Sequence, residues 1–315
     1  MCGIVAIYSA REPIRTDAVQ RATLRLTHRG PDGQQTWLSA DRRVGLGHAR
    51  LSIIDLATGA QPIAGEDEAL QIVVNGEFYD FERTQRDLEG RGHRLRTRSD
   101  SEIALHLYED HGTACLHRLR GEFAFALWDG PNDTLFAARD RFGIKPLYYA
   151  VHRGTLHLAS EIKALLAAGV PARWDRAAFF QANHFLGTPP DRTFFEGIYP
   201  VPPGHYLLAS GGQVRLIRYW DFDYPAAVDA RAASPDAEYA ERFRHALDEA
   251  IRLRLRADVP VGCYLSGGLD SCAVLGLAAA QRSEPIRAFT LTFDRADYDE
   301  GAIATPPTRA PPLSP

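Results

Sequence analysis

Over its first 220 residues the chain places many apolar side chains at every second position, in short runs broken by turn-forming residues. Leu70, Ile72 and Val74 alternate in this way, as do Phe123, Phe125 and Leu127, and Leu147, Tyr149 and Val151. A two-residue period predicts half-buried strands. Residues 206–208 and 214–216 flank Gly211-Gly212, which predicts a hairpin. Two segments switch to helical spacing. Thr16 is placed to cap a helix carrying Val19, Ala22 and Leu26 on one face and stopped by Gly30-Pro31. A second helix is predicted from near Ser101, with Glu102 in its first turn, Ile103 and Leu107 buried, and Gly112 at its end. Residues 1–220 therefore read as one antiparallel, strand-rich α+β domain.

Residues 221–235 lose all periodicity and are rich in alanine, aspartate, proline and serine, the texture of a linker. Residues 236–256 are then strongly helical, with Phe243, Leu247, Ala250 and Ile251 at helix spacing. Residues 259–265 predict a buried strand. A glycine loop, a helix rich in alanine and leucine, and a second strand over 286–293 follow. That order is one βαβ unit of a parallel sheet, the start of an α/β domain.

A length of 315 residues suits two domains of ordinary size. Hydrophobic residues at 45% and charged residues at 24% match a soluble globular protein. The net charge of −4, without a basic block interleaved with aromatics, speaks against nucleic acid and acidic membranes as partners. No apolar run reaches the roughly 18 residues of a membrane helix, and the N-terminus lacks the order of a signal peptide. Cys2, Cys115, Cys263 and Cys272 show no metal-ligand spacing, so reduced thiols in a cytoplasmic protein are expected. Cys115, Cys263 and Cys272 read as small buried fillers.

The chain begins Met1-Cys2-Gly3-Ile4-Val5. A small second residue permits removal of Met1, which leaves a thiol and a free α-amine on Cys2. Their ordinary pKa values, about 8.5 and about 8, both lie near neutrality, so the amine can take the thiol proton without a separate histidine. Alone, such a cysteine is more often incidental. Downstream come His28-Arg29-Gly30-Pro31-Asp32, then His48-Ala49-Arg50-Leu51-Ser52-Ile53-Ile54-Asp55, then Asn75-Gly76-Glu77-Phe78-Tyr79. Arg98-Ser99-Asp100-Ser101-Glu102 and Arg139-Asp140-Arg141-Phe142-Gly143-Ile144-Lys145-Pro146-Leu147-Tyr148-Tyr149 complete the series. Singly these have plain readings: Asn75-Gly76 as a hairpin turn, Arg50 and Asp100 as surface charges, His28 and Asp32 as helix-end structure.

In this order, with Cys2 first, the motifs closely resemble the class II glutamine amidotransferases, a group of N-terminal-nucleophile hydrolases. The resemblance runs continuously over residues 1–220 and implies an αββα sandwich. It implies Cys2 as nucleophile on the glutamine side-chain amide, with Asn75 and Gly76 as oxyanion hole. It further implies Arg50 on the glutamine α-carboxylate, and Glu77 and Asp100 on its α-ammonium. Backbone atoms of Leu51, Ser52, Ile53 and Ile54 would line the same pocket.

Ser266-Gly267-Gly268-Leu269-Asp270-Ser271 lies between a predicted strand and helix. Glycines admit phosphate close to the backbone, and serine hydroxyls with helix-start N–H groups donate to it. The Gly-Lys-Ser/Thr ending of a Walker A loop is absent. The segment resembles the pyrophosphate loop of adenylate-forming enzymes. Among class II amidotransferases, pairing with such a loop is similar to the asparagine synthetases. That resemblance implies ATP and Mg²⁺ as substrate and cofactor, Asp270 as a Mg²⁺ ligand, and Leu265 and Leu291 against the nucleotide. Glutamine and aspartate would be the further substrates, ammonia would pass internally, and a homodimer is compatible with this reading.

The family pattern stops after Ala304, and residues 305–315 contain five prolines. Proline cannot continue a helix or join a central strand. Residues 236–304 are therefore expected to be a partial ATP-binding domain and 305–315 an aberrant tail, with only the glutaminase half functional in the chain as written. Three other readings stay open: a free-standing glutaminase, an amidotransferase acting on another carboxylate, and a non-catalytic remnant that binds glutamine or a partner.

Overall fold

The computed structural model describes residues 1–185, 187, 189–224, 235–295 and 301. Most of the expected linker, the end of the family pattern near Ala304 and the proline-rich tail lie outside the described residues. The chain divides into two compact units, Met1–Tyr224 and Pro225–Pro315.

In chain order the strands of the first unit begin with β1 (Gly3–Ser9), β2 (Gly33–Leu38), β3 (Val44–Arg50), β4 (Ile63–Ala64) and β5 (Leu70–Phe78). They continue with β6 (Gly121–Asp129), β7 (Thr134–Arg139), β8 (Tyr148–His152), β9 (Thr155–Ala159), β10 (Ile198–Pro200), β11 (His205–Ser210) and β12 (Gln213–Arg218). Its helices are α1 (Thr16–Leu24), α2 (Phe81–Gly90), α3 (Ile103–His111), α4 (Ile162–Ala167) and α5 (Arg176–Phe185). The strands form two six-stranded antiparallel sheets, ordered β10-β8-β9-β1-β3-β2 and β12-β11-β7-β6-β5-β4.

The sheets pack face to face. Ile4, Ala6, Tyr8 and Leu46 of the first meet Val73, Ala124, Ala126 and Ala137 of the second. On the outer face of the first sheet, Val5 and Ile7 pack with Val19 and Ala22 of α1 and Leu165 of α4. On the outer face of the second, Ile72, Phe123 and Phe125 pack with Phe81 and Leu88 of α2 and Ile103 and Leu107 of α3. The result is an αββα sandwich.

This layering corrects the expectation of half-buried strands. Phe123, Phe125 and Leu127 face the helices while Ala124 and Ala126 face the other sheet, and all are buried. Small residues on the inner face let the sheets approach, and aromatic ones fill the wider gap to the helices. Val151, expected in the core, is 53% exposed.

Helix ends differ from expectation in detail. Arg15 takes the N-cap position of α1 without a side-chain cap, and Thr16 instead accepts a hydrogen bond from Arg42 at 3.0 Å. α1 ends at Leu24, and tight turns carry the buried Leu26 on toward Gly30. Before α3, residues Asp100–Glu102 form one 3-10 turn, capped by the Ser99 hydroxyl, which accepts from the Ser101 N–H. Glu102 is fully buried and takes the N–H groups of Arg96 and Thr97. α3 ends at Gly112 as expected.

The second unit contains α6 (Asp236–Arg254), β13 (Gly262–Tyr264), α7 (Leu269–Ala280) and β14 (Arg287–Phe289). β13 and β14 pair in parallel, Cys263 opposite Ala288. Each is shorter than predicted, and neither is buried: Tyr264 is 79% and Phe289 54% exposed. A parallel sheet is buried only when helices cover both faces. Among the described residues, Ile251, Leu253 and Ala278 alone are buried in this unit. Phe243 points outward, and Cys272 is exposed, not a buried filler like Cys115. No helix among the described residues is long and apolar enough to cross a membrane.

Candidate active site

Cys2 immediately precedes β1, which pairs with β3 and β9 within its sheet. Arg29 fixes its backbone. The guanidinium Nε donates to the Cys2 carbonyl at 2.8 Å, and Nη1 pairs with Glu161 at 2.9 Å. Cys2 Sγ lies 3.4 Å from the Leu51 nitrogen and 3.5 Å from its carbonyl oxygen. Burial pushes the Cys2 thiol up from its ordinary range, while the Leu51 N–H and the nearby chain amine pull it back. The α-amine of Met1 moves the other way. Burial lowers it, the Cys2 sulfur opposes, and the Arg29 and Lys145 cations lower it further.

Around this thiol lies a pocket lined by Met1, Arg50, Leu51, Ile53, Ile54, Asn75, Gly76, Glu77 and Asp100. Ser52 is the exception among the expected residues: its N–H donates to Asp32 at 2.7 Å, and it is not part of the lining.

Asn75 is fully buried, and neither its amide nitrogen nor its oxygen has a hydrogen-bond partner. An unpaired buried amide costs roughly 1–3 kcal/mol, and that of Asn75 borders the pocket. Asn75-Gly76 is not a turn; both residues lie within β5, opposite Ala124 and Phe123. A Cβ at Gly76 would stand 2.2 Å from the Glu122 carbonyl oxygen, so the close approach of β5 to β6 admits only glycine. The Arg50 guanidinium donates to the carbonyls of Asp55 and Leu56 at the pocket edge. Asp100 accepts from the Phe78 N–H at 2.8 Å. Burial, with the Glu77 charge beside it, pushes this carboxyl up to about 7.

Several contributors carry no role in the sequence reading. Lys145 lines the pocket, and its ammonium sits 3.0 Å from Glu122, both buried. Its N–H, with those of Phe142 and Ile144, is held by the buried Asp140 carboxylate. Gln61 accepts the Val74 N–H at 2.6 Å and donates to Ser101 at 3.2 Å. Burial lowers His48 to about 4. The ring is therefore neutral near pH 7, and its Nε2–H donates to the Val74 carbonyl at 3.1 Å. Lys145, Arg29 and His48 stand inside legible motifs, whereas Gln61 and Glu161 carry no sequence signal.

In the second unit, Gly267 has φ +81°, a conformation that glycine alone adopts freely. The Ser266 and Ser271 hydroxyls lie 3.1 Å apart, and Ser271 donates to the Gly268 carbonyl at 3.0 Å. Gly268 is the N-cap of the twelve-residue α7, whose first turn holds Leu269, Asp270 and Ser271. Leu265 donates to the Phe289 carbonyl at 2.9 Å, and Thr290 to Leu265 at 2.8 Å, placing the loop at the end of the β13–β14 pair. Leu269 and Leu291 are 85% and 70% exposed. Serine hydroxyls and free N–H groups of a helix start suit a polyphosphate. The Asp270 carboxylate is the kind of hard oxygen donor that Mg²⁺ takes beside phosphate.

Comparison with known proteins adds family evidence. The profile described as "Glutamine amidotransferase domain" matches residues 1–220, and the profile described as "Asparagine synthase" matches 242–307. Amidase chry2 of Gibberella zeae is 40% identical, over 96% of this chain and 49% of its own length. Amidase chyE of Penicillium rubens is 42% identical, over 88% of this chain and 43% of its own. Asparagine synthetase [glutamine-hydrolyzing] 3 of Bacillus subtilis is 35% identical, over 95% and 48%. The chain thus spans about half the length of these relatives. Two solved structures share the fold. An allosteric regulatory enzyme of purine biosynthesis aligns with TM-score 0.55 at 16% identity, over 92% of this chain and 65% of its own. The glutamine phosphoribosylpyrophosphate amidotransferase of B. subtilis aligns with TM-score 0.52 at 17% identity, over the same shares. Matched over residues 1–220 with the motifs and the sandwich in place, the chain belongs to the glutamine amidotransferase domain family.

Proposed function

We propose that the first unit hydrolyses the side-chain amide of glutamine with Cys2 as nucleophile, and that the ammonia feeds an ATP-dependent amidation at the loop of the second. In this reading residues 1–220 are the glutaminase domain, 221–235 a linker, and 236–304 part of an ATP-binding domain. One observation carries it: a buried, unpartnered Asn75 amide faces the same pocket as a thiol, a guanidinium and two carboxylates. Free glutamine is a zwitterion, so Arg50 suits its α-carboxylate, and Glu77 and Asp100 suit its α-ammonium.

Met1 itself lines the pocket, so its removal both opens the site and moves the free amine onto Cys2. Burial lowers the chain amine at this site, and the Arg29 and Lys145 cations lower it further, which suits an amine that takes the thiol proton. Sulfur then attacks the amide carbon, and Asn75 Nδ2–H and the Gly76 N–H take the oxyanion. The ammonium returns its proton to the departing ammonia. Water releases glutamate from the thioester.

At the second unit, ATP would activate the acceptor carboxylate. Ser266, Gly267, Gly268 and Ser271 would hold its pyrophosphate part, Asp270 the Mg²⁺, and Leu265, Leu269 and Leu291 the nucleoside. The asparagine synthetase relative supports aspartate as acceptor. A second reading, amide chemistry on a different carboxylate, is favoured by the higher identity of the two amidases.

Glutamate release from glutamine alone tests the proposal. Cys2→Ala abolishes it while leaving the fold intact by circular dichroism; residual activity at the wild-type rate excludes Cys2 as nucleophile.

Arg50 and Asn75 separate binding from chemistry. Arg50→Ala raises KM through loss of a charge-assisted hydrogen bond worth roughly 1.5–3 kcal/mol. Asn75→Ala lowers kcat by about 10²–10³. Unchanged steady-state kinetics in both variants place the pocket elsewhere.

Asp100 brings a pH dependence. Its carboxyl, raised to about 7, ionises only as pH rises through that value, and the ionised form is the one that pairs with the glutamine ammonium. Calorimetry on the Cys2→Ala protein, which lacks turnover, shows glutamine binding weaken as pH falls through about 7. Binding that stays constant across that range contradicts the assignment.

A further inference from the structure

A second group of chemically capable side chains lies outside the Cys2 pocket lining, at α3 and the segments packed beside it. His106 and Glu109 lie on α3, with Asp110 beside them and Glu102 just before. His93 follows α2, and Glu66 follows β4. The two imidazole rings are 5.0 Å apart, centroid to centroid. His106 is 1% exposed, His93 half-buried and Glu66 exposed.

Each ring uses both nitrogens in the same manner. His106 Nδ1 and His93 Nδ1 converge on one oxygen, Glu109 Oε2, at 2.7 and 3.2 Å. Behind them, His106 Nε2 lies 3.4 Å from Glu102 and His93 Nε2 3.0 Å from Asp110. Glu66 closes the open side, its Oε1 taking the Arg94 N–H at 2.7 Å. One donor atom each from Glu66, His93 and His106 lies within 4.8 Å of the other two.

A carboxylate behind each histidine and a common point in front is the arrangement that orients imidazoles toward a metal. A single dication held between the two Nδ1 atoms and Glu109 Oε2 would offset the four surrounding carboxylates of Glu66, Glu102, Glu109 and Asp110. Arg91, paired with Asp110 at 3.1 Å, offsets only one.

We propose that His93, His106 and Glu66, with Glu109 as fourth donor, form a site for one divalent transition-metal ion of the zinc type. The imidazole and carboxylate donors favour zinc over Mg²⁺ or Ca²⁺, which prefer oxygen ligands alone. Tetrahedral zinc with bonds of about 2.0–2.1 Å needs ligand atoms about 3.4 Å apart. The donor atoms, within 4.8 Å of one another, would draw together on the ion. The site is structural: its ion would join α3 to the segments carrying His93 and Glu66. Its position does not depend on the reaction at Cys2.

The test uses the full chain, stripped with a chelator and with its thiols alkylated, since Cys2, Cys263 and Cys272 also take zinc. Zinc chloride is titrated by calorimetry, and bound metal is counted by elemental analysis after dialysis. One equivalent binds to the wild type and raises the thermal midpoint, whereas Mg²⁺ does neither. His93→Gln and Glu66→Gln, both away from the buried core, each weaken binding by about tenfold or more, with circular dichroism confirming the fold. Zinc that binds equally to both variants, or no stoichiometric zinc on the wild type, overturns the site.

Discussion

The active pocket depends on one constraint, the close approach of β5 to β6 at Gly76. The Glu122 carbonyl stands where a Cβ would be, so the strands pass here at a distance that only glycine permits. The preceding peptide is gripped from outside the ladder: Gln61 takes the Val74 N–H and neutral His48 donates to its carbonyl. Held between these contacts, the Asn75 side chain is kept in place although nothing among the described residues satisfies its amide. A donor fixed in advance of its ligand costs no reorganisation when charge develops beside it.

The same economy governs the thiol. Burial raises the Cys2 thiol and so works against the thiolate form that reacts. The compensating features are the Leu51 N–H at the sulfur and the nearby chain amine. In the proposed mechanism, acid–base chemistry therefore needs no titratable side chain near neutrality apart from the thiol itself. Asp100, raised to about 7 by its own burial, serves glutamine binding in the same proposal.

Much of this was legible in the sequence because the pocket draws on short continuous motifs. Cys2, Arg50, Asn75, Gly76, Glu77 and Asp100 each sit in such a stretch and line one cavity. Gln61 was not legible, since its value comes from facing Val74 across a strand edge rather than from its neighbours in sequence. Ser52 stands apart from the lining, its N–H held by Asp32 twenty residues earlier. Two-residue periodicity located the strands but underestimated their burial, for alanines such as Ala124 and Ala126 look neutral until a second sheet covers them. In the second unit the pattern named the βαβ order correctly, yet β13 and β14 are short and exposed, because strand propensity without covering helices does not make a core.

The central claim is that Cys2, carrying the free amine of the mature chain, attacks glutamine in this pocket. Reaction with a diazoketone analogue of glutamine, followed by intact mass and peptide mapping, addresses it directly. The account predicts one adduct per chain, on a Cys2 that is itself the first residue, with protection by glutamine. An adduct on Cys263 or Cys272, or labelling of Cys2 in chains that retain Met1, would contradict it.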